Sequence, residues 1–278
     1  AALEAGLGVD VIHRARGNIS LTAAGERLLP IARRMLADAA AAQTEMAELA
    51  GLERGTARLG MTPTLGTGIV ADVLVECRAR HPGVDIEIVE RGSRALIADL
   101  AEGRLDLALI VTTVSSAPAR AVLVREPLLT ERLVAVSAAD APDPFGGADA
   151  VSLASLASQP YLQLAEDYDL RTAMDAAFDG DGLIPRIAVT GAEMDAALAF
   201  AERGLGITVV PAMVAAGRPA LRAARLADPA LTRTISLARR NDMSLTHAAA
   251  AMRELIRDVA ARITAPGAPL AAFVSRAG

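Results

Sequence analysis

The chain has 278 residues, a formal charge of −5, 53% hydrophobic residues and 2% aromatics. That length suits two or three small domains with a sizeable buried core. A single Cys leaves no internal disulfide and argues against a cysteine-based zinc site. The scarcity of aromatics argues against base-stacking platforms for single-stranded nucleic acid, and no apolar run is long enough to cross a bilayer.

The N-terminal AALEAGLGVD has no basic stretch leading into an apolar core, so it does not read as a secretory signal, and a cytoplasmic location is expected. Residues 14–36 then read RARGNISLTAAGERLLPIARRML. Arg14, Arg16, Gly17 and Asn18 suggest the tip of a basic β-ribbon, closed by Leu21-Thr22. Thr22 is suited to cap a helix by accepting a backbone N–H bond. Arg14, Arg16, Arg27, Arg33 and Arg34 cluster here, and DNA binding needs a local basic patch rather than a basic chain. Arg14 and Arg16 are the candidates for DNA contact. On a wing they would reach phosphates or the minor groove, supplying affinity more than sequence readout. The competing reading is a solvated turn.

From Thr22 to about Leu49 the spacing predicts one long helix. Leu28, Ala32, Met35, Ala39, Ala42, Met46 and Leu49 alternate at steps of four and three, an a/d seam. Either a second copy covers that seam or the helix lies on its own domain. Pro30 removes a backbone bond to Glu26 and is expected to bend the helix. Gly51 and Gly55 mark a hinge beyond it.

From Thr56 strands alternate with helices, which implies parallel βαβ units. TARLGM, VDIEIVE and DLALIV read as strands, separated by LGTGIVADVLVECRAR and SRALIADLAEG as helices. A second set follows with strands ERLVAVS, PYLQLA, PRIAVT, GITVVP and RTISLARR. Its helices are SLASLAS, DLRTAMDAAF and GAEMDAALAFAERG. A last amphipathic helix, SLTHAAAAMRELIRDVAARI, has Ser244 as its expected cap. The fold class is therefore α/β, with two lobes and a cleft between them.

Ligands of α/β sheets bind beyond the carboxyl ends of strands, near helix N-termini. That rule selects Thr62, Pro63, Thr64 and Leu65 after the first strand, Ser93 at the next helix, and Thr112 and Thr113 after DLALIV. In the other lobe it selects Gln163, Thr190 and Gly191. Their hydroxyls and free N–H groups suit a carboxylate or another small anion; the bland alternative is that each hydroxyl caps its own helix. Glu166, Asp167 and Asp169 form an acidic loop near the cleft, which would bias it against anions. Cys77 reads as a small buried residue. His13, His81 and His247 have no ligand spacing, and GLGIT lacks the spacing of a dinucleotide loop.

The same stretches resemble the LysR-type transcriptional regulators. The wing and linker pattern of that family, R-x-x-x-G-x-x-L-T-x-A-G-x-x-L-L-x-x-A-R-x-x-L, is matched at Arg14, Leu21-Thr22, Ala24-Gly25, Leu28-Leu29, Ala32-Arg33 and Leu36. Upstream, Leu3-Glu4 and Leu7-Gly8-Val9 fit the segment that follows the start of the recognition helix, while Val11-Ile12 replaces the usual Leu-Phe. Relative to that pattern the first two helices and most of the recognition helix lie outside these 278 residues. Downstream, Met61-Thr62-Pro63-Thr64, Pro82 to Ile88, Leu96 to Leu109 and Gly204 to Pro211 follow the family's order over about 200 residues.

The resemblance implies an effector domain with the fold of type 2 periplasmic binding proteins, its chain crossing between lobes near Thr130-Glu131 and near Arg239–Ser244. The expected organisation is a winged helix-turn-helix remnant (1–21), a linker and dimerisation helix (22–52), lobe I (56–131 with 240–265), lobe II (132–239) and a flexible tail (266–278). It also implies a regulator, not an enzyme, that senses a small-molecule effector in the interlobe cleft. Operator DNA would be its partner in a full-length protein, and it would form a homodimer or tetramer. No cofactor, metal or membrane is expected. The alternatives are a solute-binding protein of a transport system and, after it, a small enzyme such as a dehydratase on the same fold.

Overall fold

A computed structural model describes residues 2–15, 18–49, 55–112, 123–148, 150–227 and 231–277. At the N-terminus a short helix α1 (Ala2–Leu7) precedes an antiparallel ribbon of β1 (Ile12–Ala15) and β2 (Asn18–Leu21), with Ala15 opposite Asn18. Helix α2 (Ala23–Leu49) follows and runs through Pro30. Thr22 starts it: its Oγ1 accepts from Gly25 N at 3.0 Å and donates to Asp10 O at 2.7 Å. Gly25 has a separate reason to be Gly, since a Cβ there would meet the Val11 carbonyl oxygen at 2.0 Å. Helix and ribbon are thus in backbone contact.

The first half of the effector region is a sheet covered on both faces. Its strands are β3 (Gly55–Met61), β4 (Val84–Glu90) and β5 (Leu107–Thr112), paired in parallel in the order β4-β3-β5. Strand β5 is buried along almost its whole length, as a central parallel strand should be. Period-two alternation then divides it. Leu107, Leu109 and Val111 join the core beneath α3 (Ala71–Arg80) and α9 (His247–Ile263), while Ala108 and Ile110 join the core beneath α4 (Ser93–Ala101). The segment expected to form one helix after β3 is broken into a 3-10 turn, Pro63–Leu65, a π-turn, Gly66–Val70, and then α3.

Two long strands carry the chain between lobes. Strand β6 (Leu123–Ala138) contributes Leu128 and Leu129 to one core and Leu133 to Val136 to the other. Strand β12 (Thr232–Arg240) pairs antiparallel with both β5 and β6. The return crossing therefore lies at the start of β12, ahead of the Arg239–Ser244 position expected, because Ile235 and Leu237 already pack in the first core.

Between them lie β7 (Ala150–Val151), α5 (Leu153–Ser158), β8 (Tyr161–Leu164), α6 (Asp169–Gly180), β9 (Ile187–Ala192), α7 (Met194–Glu202), β10 (Thr208–Pro211), α8 (Ala212–Ala215) and β11 (Leu221–Leu226). Strands β10 and β11 pair with β6, β11 also pairs with β7, and β8 and β9 form their own parallel pair. Tyr161 meets Phe178 edge to face at 5.5 Å in this second core.

Two sequence expectations change at the C-terminal end. Helix α9 is capped by Thr246, whose hydroxyl accepts from Ala249 N at 3.3 Å, rather than by Ser244. The tail from Ala265 is not loose: β13 (Val274–Arg276) pairs with β6, placing Val274 opposite Glu131 and in the first core.

Gly206 tests the packing of the second lobe. A Cβ there would lie 2.4 Å from the Pro160 carbonyl oxygen, which already accepts from Ile207 N at 2.8 Å. Gly206→Ala is expected to cost about 1–3 kcal/mol, because backbone rather than a flexible side chain must move. Urea unfolding followed by circular dichroism checks this.

Candidate functional site

A cavity of about 120 Å³ opens between the lobes. Thr62, Pro63 and Thr64 line it from the turn after β3, and Glu90, Arg91 and Gly92 from the turn after β4. Val111 comes from β5, Leu133 from β6, Asp167 to Leu170 from the second lobe, and Arg233 from β12. Strand ends from one lobe thus face a helix start from the other.

The floor is polar and buried. Arg233 is 4% exposed and Glu131, opposite it on β6, is fully buried. Arg233 Nε donates to Glu131 Oε2 at 2.8 Å, and Nη1 donates to Thr64 Oγ1 at 2.5 Å. The other Glu131 oxygen accepts from Met213 N at 2.6 Å, reaching into the second lobe. Arg233 Nη2 lies 2.8 Å from Glu131 Oε2, the oxygen already bonded by Nε, and has no hydrogen-bond partner of its own. Proximity alone therefore leaves that donor unsatisfied. Thr62 Oγ1 is likewise buried without a partner. The capping alternative fails for Thr62, which precedes the Pro63–Leu65 turn without any side-chain cap bond. Buried donors of this kind are costly unless something accepts from them.

The rim joins the lobes. Asp169, at the first turn of α6, places its Oδ2 2.7 Å from Ser93 Oγ and 3.4 Å from Ser93 N. Ser93 Oγ also accepts from Val111 N at 3.1 Å. A carboxylate from one lobe thus sits at the N-terminus of α4 in the other, where the helix dipole and free N–H groups favour negative charge. Tyr168 turns its hydroxyl away to Glu193 Oε2 at 2.9 Å, and burial pushes this phenol up to about 12.

Of the residues singled out from sequence, Thr62, Pro63 and Thr64 line the cavity, and Ser93 is bound to its rim. Leu65 is wholly buried in the first core. Thr112 turns its hydroxyl to Thr234 O at 3.4 Å, and Thr113 lies outside the described residues. Gln163 donates to Asp175 Oδ1 at 3.1 Å. Thr190 and Gly191 sit on β9, exposed, with Gly191 in the left-handed region at φ 79°. These last three are not on the cavity wall, although the loop and helix start that follow β8 supply Asp167 to Leu170 to it. Arg233, Glu131, Glu90 and Arg91 were not picked out. A charged pair buried in a strand would have signalled two of them, had its partners been close in sequence. Among the described residues no group of side chains could hold a metal ion, and no helix is long and apolar enough to cross a membrane.

Helix α2 shows two faces. Arg33 Nη1 donates to Glu102 Oε2 at 2.9 Å, Asp38 accepts from Arg240 Nη1 at 2.9 Å, and a Cβ on Gly103 would approach the Ala37 methyl at 2.6 Å. These fix one side of the helix against the first lobe. At roughly 100° per residue, Met35, Ala39, Ala42 and Met46 fall on the opposite side. All four are exposed, Met35 to 66% and Met46 to 59%. Leu28 and Ala32 are half-buried, and the side chain of Leu49 lies outside the described residues. In the ribbon, Arg14 stands on β1 opposite Ile19; its side chain and all of Arg16 lie outside the described residues.

Residues 50–261 match the family model for the LysR substrate binding domain. The chain belongs to the LysR-type transcriptional regulators. It is 31% identical over 274 residues to a probable hydrogen peroxide-inducible genes activator of Streptomyces viridosporus, covering 95% of this chain and 85% of that one. A full-length OxyR variant of Pseudomonas aeruginosa superposes with a TM-score of 0.71 at 21% identity, over 94% of this chain and 82% of that one. The BenM effector binding domain with its effector benzoate superposes with a TM-score of 0.64 at 26% identity, over 78% of this chain and 96% of that one. The LysR-type fold, two lobes with an effector-binding domain, is thus shared. The relatives are regulators, not enzymes, and the solute-binding and enzymatic alternatives are not favoured.

The Glu131–Arg233 pair gives a direct test. Removing one partner of a buried ion pair strands the other charge, so Glu131→Ala is expected to cost about 3–5 kcal/mol. Replacing both residues together, Glu131→Leu with Arg233→Met, should recover most of that loss in urea unfolding.

Proposed function

We propose that this regulator senses a small effector bearing a carboxylate or an equivalent oxygen acceptor, held in the interlobe cavity. The observation that carries the reading is the pair of buried donors without partners, Thr62 Oγ1 and Arg233 Nη2, on two residues that line that cavity. An acceptor oxygen brought by a ligand would satisfy both. The Thr64 hydroxyl, which accepts from Arg233, keeps its own proton to donate. Ser93 acts through Asp169 on the rim. The similar BenM effector binding domain has benzoate, a carboxylate, as its effector, which supports this ligand class.

Sensing of peroxide, which the names of several relatives suggest, has weaker support. Cys77 is the only Cys in these residues, so no disulfide forms within them. It is buried, and burial pushes its thiol up, away from the reactive thiolate.

The exposed seam on α2 is assigned to a second copy, with Leu28, Ala32, Met35, Ala39, Ala42, Met46 and Leu49 as its a/d positions. The helix packs its other side against the first lobe, which supports a second copy as the cover of this face. Arg14 and Arg16 are assigned to DNA backbone contact beside the recognition helix of a full-length regulator, as cytoplasmic transcription control requires.

A thermal-shift screen of small carboxylates and aromatic acids tests the cavity. At least one should raise the melting temperature, and Thr62→Val should weaken its binding about tenfold or more, as loss of a hydrogen bond to a charged group does. No shift with any of them would sink the reading. For the seam, Met35→Glu is expected to convert the dimer to monomer in light scattering at micromolar concentration; an unchanged mass would refute it.

A further inference from the structure

The cavity is electrically divided in a way that a simple anion does not match. Three carboxylates line it, Glu90, Asp167 and Asp169, against two guanidiniums, Arg91 and Arg233. Arg233 is already neutralised by buried Glu131, and Arg91 leans 3.7 Å from Asp99. The favourable anion position at the N-terminus of α4 is filled by the chain's own Asp169. Among the described residues, neither the Glu90 nor the Asp167 side chain makes a hydrogen bond or ion pair. A plain carboxylate would pass an acidic rim before reaching the donors on the floor.

We infer that the effector is a small zwitterion, with an acceptor end on Thr62 and Arg233 and an ammonium end on Glu90 and Asp167. The inference rests on the effector reading above and adds the second charge. The acceptor end meets buried donors and the ammonium end meets exposed carboxylates at the rim, so neither charge is taken from water without a partner. The acidic rim then discriminates, attracting the ammonium and repelling molecules that carry only a carboxylate. The cavity volume of about 120 Å³ is a few water molecules' worth, which limits the ligand to roughly amino-acid size.

The test compares matched triads by calorimetry on the full chain: alanine, propanoate and ethylamine; valine, 3-methylbutanoate and isobutylamine; 4-aminobutanoate, butanoate and propylamine. At least one zwitterion should bind about tenfold or more tightly than both its relatives. Glu90→Gln and Asp167→Asn, singly and together, should erase that preference while carboxylate binding stays or improves. Both residues are exposed, and circular dichroism verifies that the variants fold. If the des-amino acids bind as well as the zwitterions, the zwitterion inference falls while the cavity reading stands. If no triad member binds, the zwitterion inference falls as well. The carboxylate screen then decides separately whether the cavity reading falls with it.

Discussion

The molecule is organised around one buried ion pair, Glu131 with Arg233. It sits where β6 and β12 pass from one lobe to the other, residue opposite residue in the backbone register. Every other part of the hinge is attached to it. Thr64 brings in the first lobe, Met213 N the second, and Val274 pairs with Glu131 from the C-terminal strand. A buried pair of this kind adds little net stability compared with apolar residues of the same size. What it does is fix which atoms face which. Two charges with no water to turn to allow few arrangements of the strands that carry them. The donors left over, one on Arg233 and one on Thr62, belong to two residues that line the cavity.

A second, weaker contact joins the lobes at the rim. Asp169 and Ser93 are 76 residues apart and belong to different lobes, and their hydrogen bond spans the mouth of the cavity. A carboxylate at the start of a helix is stabilised by dipole and donors, on the order of 0.3–1 kcal/mol when partly exposed. That is small enough for a ligand to override and large enough to bias the lobes. A regulator needs this balance, because a ligand shifts an equilibrium only by its differential affinity for the two lobe arrangements. A pair as strong as Glu131–Arg233 at the rim would leave nothing for an effector to move.

How much of this was legible in the sequence depends on how local each signal is. The parallel strands, the long helix, its Thr22 cap and the Thr62–Thr64 turn are written in periodicity and in residues close together. Arg233 was not legible, since its partner Glu131 lies 102 residues away and a charged residue in RTISLARR resembles any exposed strand position. The tail was misread because β13 has only three residues, too short for a period, in a stretch rich in Pro and Ala. Thr190 and Gly191 sit within β9 rather than beyond its carboxyl end, and the loop after the neighbouring parallel strand β8 lines the cavity instead. The Thr246 cap replaced Ser244 through a shift of two residues, within the uncertainty of any helix boundary.

The linker helix links this site to assembly. Its inward side is pinned to the turn after α4 by Arg33–Glu102 and Ala37–Gly103, and to the end of β12 by Asp38–Arg240. Strand β12 carries Arg233 on the cavity floor near its start and ends at Arg240 beneath the helix; α4 begins at Ser93 on the rim and ends beside Glu102. Two rigid elements thus run from the cavity to the same helix, from the hinge and from the mouth. The two elements share a core through Leu96, Leu100 and Ala238, so a motion of the first lobe would carry them together against the inward side of α2. The outward side, with Met35 and Met46, is where a second copy would feel it. Arg33 and Asp38 are partly exposed, so their contacts are soft compared with the floor, and the displacement would be taken up at the helix rather than at the hinge.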